Sequence, residues 1–169
     1  MHIRQERKED YPEIYRLVKE AFATAQHADG NEQDLVEALR KGSAYLPELA
    51  LVAEEAGLLA GHIMLTRAAV GGAPVLVLAP LSVRPEFQRR GVGTALMERA
   101  HEIAGARGED YVLVLGSQDY YPRAGYRPAE ELGAAVPEGI PSANFMALRL
   151  REGAEPLSGA VAYAPEFGL

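Results

Sequence analysis

Two periods alternate along this chain. Ile14, Leu17, Val18, Ala21 and Phe22 recur at the three- and four-residue spacing of one helix face. Asp10 with Glu13 ahead of that face has the spacing of a capping box. A shorter helical pattern carries Leu35, Val36 and Leu39, opens at Asn31 with Asp34, and closes at Gly42 after Arg40 and Lys41. A third stripe, Val92, Leu96, Ala100 and Ile103, lies opposite Glu98, Arg99 and Glu102 and ends at Gly105 and Gly108. Strand patterns fill the intervals. Residues 2–6 read as a short first strand, and 49–54 and 58–66 flank the hairpin signal Glu55-Ala56-Gly57. Gly71-Gly72 marks another turn. Residues 75–83 and 111–115 are continuous apolar runs, as expected of strands buried on both faces. Residues 144–150 predict a late strand, and the tail with Pro156, Gly159, Pro165 and Gly168 predicts loop or edge strand.

The order of these elements predicts a mixed α/β fold. The strand–helix–strand unit from 75 to 115 should be parallel and right-handed. Pro80 interrupts the first of its strands. Proline cannot donate to a ladder, so the strand should bulge there or part from a neighbour, leaving backbone groups free for a ligand. Without repeats, low-complexity tracts or a linker, the 169 residues read as a single domain, 1–169.

Composition narrows the chemistry. The chain has no cysteine, which excludes disulfides, a zinc–thiolate site and a cysteine nucleophile, and fits a reducing cytoplasm. A net charge of -7 argues against nucleic acid as a partner and is compatible with a cationic amine. The N-terminus is polar with no signal core, and no apolar run is long enough to span a bilayer, so no membrane partner is expected. No histidine and carboxylate cluster has metal-ligand spacing, and no metal is expected.

The most informative stretch is Leu81-Ser82-Val83-Arg84-Pro85-Glu86-Phe87-Gln88-Arg89-Arg90-Gly91-Val92-Gly93-Thr94-Ala95-Leu96. An apolar strand ends, arginines and glycines follow, and an amphipathic helix begins. Backbone N–H groups at a helix N-terminus, glycine for close approach and arginine for charge together suit a pyrophosphate. A P-loop would need a lysine and a hydroxyl after the second glycine, whereas Gly93 is followed by Thr94 and Ala95. A dinucleotide fingerprint would need a third glycine where Leu96 stands, tight against the strand. A tight turn with solvated arginines is the bland alternative.

Q-R-R-G-V-G-T-A-L after L-x-V-x-P resembles the acetyl-CoA loop of the GNAT superfamily of N-acetyltransferases. The segment Gly116 to Ala129, with Tyr120-Tyr121-Pro122-Arg123-Ala124-Gly125-Tyr126, is similar to that superfamily's Y-x-x-x-G-F/Y segment. It most resembles a bacterial branch of predicted N-acetyltransferases reading L-G-x-x-x-Y-Y-x-R-x-G-F; Ala124 and Tyr126 are departures, standing where that branch usually has Phe. The Phe-Met-Ala-Leu stretch at 145–148 and the ending at 159–163 also look like that branch. The resemblance implies a GNAT-like sheet of six or seven strands flanked by helices, with acetyl-CoA in a V-shaped gap where two parallel strands part. It implies acetyl transfer to a primary amine of a small molecule or protein, by direct attack in a ternary complex.

Carried onto this sequence, the resemblance assigns cofactor binding to Leu81, Ser82, Val83, Gln88, Arg89, Arg90, Gly91, Val92, Gly93, Thr94 and Ala95. It assigns the acid that protonates the leaving thiolate to Tyr121; Tyr120 should pack. A phenol with its pKa of about 10 is protonated at neutral pH and so can donate. The Val83 N–H is the expected oxyanion donor. No residue stands out as general base: Glu32, Asp34 and Glu86 are carboxylates that read better as surface charge. His27 reads as a loop residue that could line the acceptor side, while His62 and His101 read as structural. Arg123 divides evenly between phosphate contact and bracing of its turn. The acceptor amine is not decoded; loops 24–34, 67–74 and 129–143 are where it should touch. The rival is a non-catalytic acyl-CoA-binding sensor or structural module. Monomer and homodimer are both open.

Overall fold

The computed structural model describes residues 1–23 and 29–169; His27 lies outside them. Eight strands form one sheet: β1 (His2–Gln5), β2 (Tyr45–Glu55), β3 (Leu58–Val70), β4 (Ala73–Val83), β5 (Tyr111–Leu115), β6 (Arg127–Pro128), β7 (Phe145–Arg149) and β8 (Val161–Ala162). Their order is β1-β2-β3-β4-β5-β7-β6, with β8 paired to the far end of β3. The two-residue strands β6 and β8 take the count past the expected six or seven. Among the strands of the described residues only the β4–β5 pair is parallel, as the strand–helix–strand pattern requires.

Alternation along β2 and β3 sorts the core into two faces. Leu49, Leu51, Ile63 and Leu65 pack against α3 (Val92–Ala106). Ala50, Val52 and Met64 pack against α1 (Tyr11–Phe22) and α2 (Glu32–Arg40) on the other side. Among the described residues no helix is long and apolar enough to cross a membrane. The β2–β3 hairpin turns through Ala56 and Gly57, both with positive φ, 52° and 80°. Such a two-residue turn matches the strand twist.

The α1 cap differs from the sequence expectation. Asp10 makes no cap to α1; its carboxylate accepts from Arg7 N–H and from the Arg4 guanidinium. Glu13 accepts from Leu59 N–H and Arg84 instead of closing a capping box. Tertiary partners outcompete the local bond for both carboxylates. At α2, Glu32 rather than Asn31 takes up loose N–H groups, those of Asp29 and Gly30.

Pro80 acts as the sequence implied. In the β3–β4 ladder Ile63 faces Leu81 and Leu65 faces Leu78, so Ala79 and Pro80 together oppose the single residue Met64. This bulge bends β4 at the point where it leaves β5. β4 and β5 pair only at Leu76–Val112 and Val77–Leu113. Beyond that, β4 stays with β3 through Val83 and Gly61, while β5 stays with β7 through Leu115 and Phe145. Gly116 and Asn144 extend the β5 side with two more hydrogen bonds, each 2.9 Å. The two strands are pulled apart by their outer neighbours, and a V-shaped gap opens between them.

Candidate active site

The β4 bank of the gap presents free backbone. Arg84 N–H donates to Ala60 C=O at 2.8 Å, which fixes the phase of the antiparallel ladder. Ser82 then shares its bonds with His62, and Leu81 and Val83 turn their N–H and C=O groups away from β3, into the gap. Gln88 reaches back to donate its amide to Val83 C=O at 3.2 Å. Ser82, which the sequence grouped with Leu81 and Val83 as cofactor-binding, is placed differently. Its backbone is paired with β3, and its side chain lies on the opposite face from α3.

Just beyond the gap, the chain from Arg89 to Thr94 holds N–H groups that find no backbone acceptor among the described residues. Gln88 N–H bonds Pro85 before them and Ala95 N–H bonds Gly91 after them. Two left-handed residues shape this turn, Arg89 at φ 62° and Gly91 at φ 82°. A positive φ is uncommon for a residue with a side chain and concentrates at functional sites. Gly91 is the N-cap of α3 and brings no capping side chain, so the helix's first donors stay open. Burial of Leu96, Met97 and Ala100 holds the helix instead. The open N–H groups and the helix dipole favour an anion here. Arg89, Arg90 and Arg123 have no carboxylate partner among the described residues, whereas Arg84 is held by Glu13 and Glu20. The Arg90 guanidinium lies 5.7 Å from the Phe87 ring centroid.

The two glycines of the loop serve different ends. A β-carbon at Gly91 would meet nothing within 4 Å, so the left-handed backbone is what requires glycine there. A β-carbon at Gly93 would stand 2.5 Å from the Tyr120 hydroxyl. Tyr120 therefore reaches over the first turn of α3, a contact the sequence reading did not foresee. Tyr121 packs elsewhere. Its ring lies against Gly116 at the end of β5, where a β-carbon would come within 2.5 Å of it, and it meets Tyr126 edge-on at 5.7 Å between centroids. Burial, foremost, raises the Tyr121 phenol well above its ordinary range.

Between α3 and the turn at Tyr121–Ala124 runs a groove of about 270 Å³, lined by Thr94, Met97, Glu98, His101, Tyr120 and Arg123. Behind it His101 Nε2 and the Tyr126 hydroxyl share a hydrogen bond of 2.8 Å. Burial lowers His101 to about 4, so the imidazole there is neutral. On the β5 bank Leu115 is 50% exposed, an unusual state for a large apolar side chain within a strand.

The carboxylates considered as bases are engaged or remote in kind. Asp34 accepts from Tyr15 O–H at 2.9 Å, Glu32 holds the α2 N-terminus, and Glu86 is exposed on the turn before the loop. The sequence reading missed a buried cluster at Glu6. Arg40 donates to its carboxylate at 2.8 and 3.0 Å, Tyr45 at 2.6 Å and His62 Nε2–H at 2.9 Å. Burial alone would raise this carboxyl, but those hydrogen bonds outweigh it and hold Glu6 at about 2. Its partners lie 34 to 56 positions away along the chain, so no local pattern signals it.

The sequence and the fold are matched by known proteins. The model of the acetyltransferase (GNAT) family covers residues 4–126. The chain belongs to the GNAT family. With that membership it is an acetyl-CoA-dependent N-acetyltransferase. An uncharacterized N-acetyltransferase of Escherichia coli K12, YjhQ, is 37% identical over 139 residues, spanning 79% of this chain and 74% of that protein. A GNAT family acetyltransferase from Brucella melitensis, solved with acetyl-CoA, is 32% identical with a TM-score of 0.82, covering 98% of this chain and 97% of that one. The GNAT family N-acetyltransferase YhbS from Escherichia coli, solved with CoA, is 25% identical with a TM-score of 0.86, covering 99% and 92%. The mixed sheet is the GNAT fold.

Proposed function

We propose that this GNAT chain, acting as one domain over 1–169, transfers the acetyl group of acetyl-CoA to a primary amine of a small molecule or protein by direct attack in a ternary complex. The observation that carries the reading is the alignment of two open backbone edges. The N–H groups from Arg89 to Thr94 await a pyrophosphate, and in the gap the N–H groups of Leu81 and Val83 and the Leu81 carbonyl turn away from β3, the Val83 carbonyl being held by Gln88. That run suits an extended ligand with an anionic head and an amide-bearing arm. The relatives solved with acetyl-CoA and CoA support the same occupant.

In this reading Arg89 and Arg90 neutralise phosphate, and Gln88, Gly91, Val92, Gly93, Thr94 and Ala95 build the loop. Arg123, on the groove beside Thr94, meets a further phosphate. Leu81 and Val83 pair with the arm, and the Val83 N–H receives the charge that develops on the thioester oxygen. Tyr121 protonates the leaving thiolate. One feature supports it over Tyr120: it stands at Gly116 on the β5 bank of the gap. Tyr120 is committed to the α3 turn.

Calorimetric titration with acetyl-CoA, against CoA, ATP and NAD, tests the reading. Binding of acetyl-CoA and CoA alone, weakened by Arg89→Ala and Arg90→Ala, is the expected result. No binding of either would sink it. An amine screen by thiol release then follows without background, since the chain has no cysteine.

A further inference from the structure

An acid can protonate the leaving thiolate only from within hydrogen-bond reach of the sulfur, about 3 Å. That sulfur hangs by an arm of set length from a pyrophosphate seated at the start of α3. The acid must therefore keep register with α3, yet Tyr121 is carried by a different element, the turn Tyr121–Ala124 that follows β5. Two tyrosines beside it tie this turn to the helix. The Tyr120 hydroxyl lies over Gly93 in the first turn of α3. The Tyr126 hydroxyl shares its hydrogen bond of 2.8 Å with His101, about 12 Å further along the helix.

Tyr126 in turn holds Tyr121. Its N–H donates to the Tyr121 C=O at 3.4 Å, and the two rings meet edge-on at 5.7 Å between centroids. Gly125, left-handed at φ 96°, closes the turn that brings them together. Tyr126 is 2% exposed, within the apolar core that also holds Met97, Val114 and Met146. Apolar contacts leave a ring free to slide, whereas a satisfied hydrogen bond in such surroundings specifies one position. His101 supplies that bond from the side of the groove that Thr94 and Arg123 also line, and burial keeps it neutral, so the pair brings no charge into the core.

We propose that His101 and Tyr126 are positioning residues for the transfer. Their hydrogen bond fixes the ring on which Tyr121 packs, and so sets the place of the acid relative to the helix whose N-terminus takes the pyrophosphate. This rests on the acetyl-transfer reading given above, with Tyr121 as its acid. Neither residue touches the reacting atoms, and both act through Tyr121.

The test is a double-variant cycle on kcat, with glycinamide as the amine and thiol release from acetyl-CoA as readout. Tyr126→Phe keeps the buried ring and removes only the hydroxyl. It should lose about tenfold in kcat, since small misplacements of a reacting group cost up to about 10²-fold, with acetyl-CoA affinity unchanged by calorimetry. In a Tyr121→Phe background the same change should cost nothing further, because the group it positions is gone. His101→Leu should lose as much as Tyr126→Phe, and His101→Gln, whose amide can stand where Nε2 stands, should recover most of the rate. A general loosening of the fold would instead cost the same factor in both backgrounds, and that result overturns the proposal. Full kcat in folded Tyr126→Phe overturns it too, even if His101→Leu fails to fold. Full kcat in Tyr121→Phe, or a wild type that binds acetyl-CoA and gives no acceleration over buffer, sinks the acid reading and this inference with it. A wild type that does not bind acetyl-CoA sinks the transferase reading itself.

Discussion

The Tyr120 hydroxyl occupies the space that a β-carbon at Gly93 would need, 2.5 Å from it. The next atom of that ring, Cζ, would be 3.7 Å away, an ordinary contact. Gly93→Ala should therefore displace the end of a flexible side chain rather than break the helix. Forcing the ring off its rotamer costs about 1 kcal/mol. Removing the hydroxyl should remove the conflict. Urea unfolding of Gly93→Ala, Tyr120→Phe and the double variant should be non-additive, with Gly93→Ala less costly in the Tyr120→Phe background. Strict additivity would show that the two groups do not meet.

Tyr121 and Tyr120 are neighbours with different surroundings, and turnover should separate them. Tyr121→Phe removes the proposed acid and should lower kcat by about 10²-fold, leaving acetyl-CoA affinity unchanged. Tyr120→Phe should do less. Thiol-release kinetics beside calorimetry reads both quantities. Equal losses in the two variants would count against Tyr121.

Arg89 and Arg90 are exposed and, among the described residues, lack a carboxylate partner. In the proposed site each would therefore meet phosphate without first breaking an ion pair. A hydrogen bond to a charged group contributes about 1.5–3 kcal/mol, so each alanine variant should weaken acetyl-CoA binding by about tenfold or more. Salt should reproduce part of the effect, because exposed charges are screened. Calorimetry at two ionic strengths checks this, and affinity indifferent to salt would argue that the arginines do not touch the phosphates.

The parts of this site carried by consecutive residues were legible in the sequence. The Pro80 bulge, the parted strand, the glycine loop and α3 all follow from short-range rules about proline, glycine and period. The parts that depend on long-range contacts were not. Asp10 was read as a helix cap because its spacing to Glu13 is right, yet Arg4 and Arg7 claim it. The contact between Gly93 and the Tyr120 hydroxyl joins residues 27 positions apart and has no local signal. Ser82 was grouped with Leu81 and Val83, although the pleat turns it to the opposite face. Glu6 stands beside Arg4, Gln5 and Arg7 with no local signal of burial; only the fold brings Arg40, Tyr45 and His62 around it.

That enclosure makes Glu6 a source of acid sensitivity. Its carboxyl falls from 4.5 to about 2 on folding, because the hydrogen bonds from His62 and Arg40 outweigh the burial that would raise it. A depressed carboxyl contributes stability that is fully present above pH 4.5 and lost as the pH falls through about 2. The shift corresponds to about 3 kcal/mol. Glu6→Gln should flatten the stability curve across that window. At neutral pH it should also destabilise the protein, since Arg40 is left buried without its counter-charge, a loss of about 3–5 kcal/mol. Urea unfolding at pH 7 and at steps down to pH 2 measures both effects. A Glu6→Gln curve parallel to the wild type over the acid limb would mean that the Glu6 cluster does not set the acid stability of this fold.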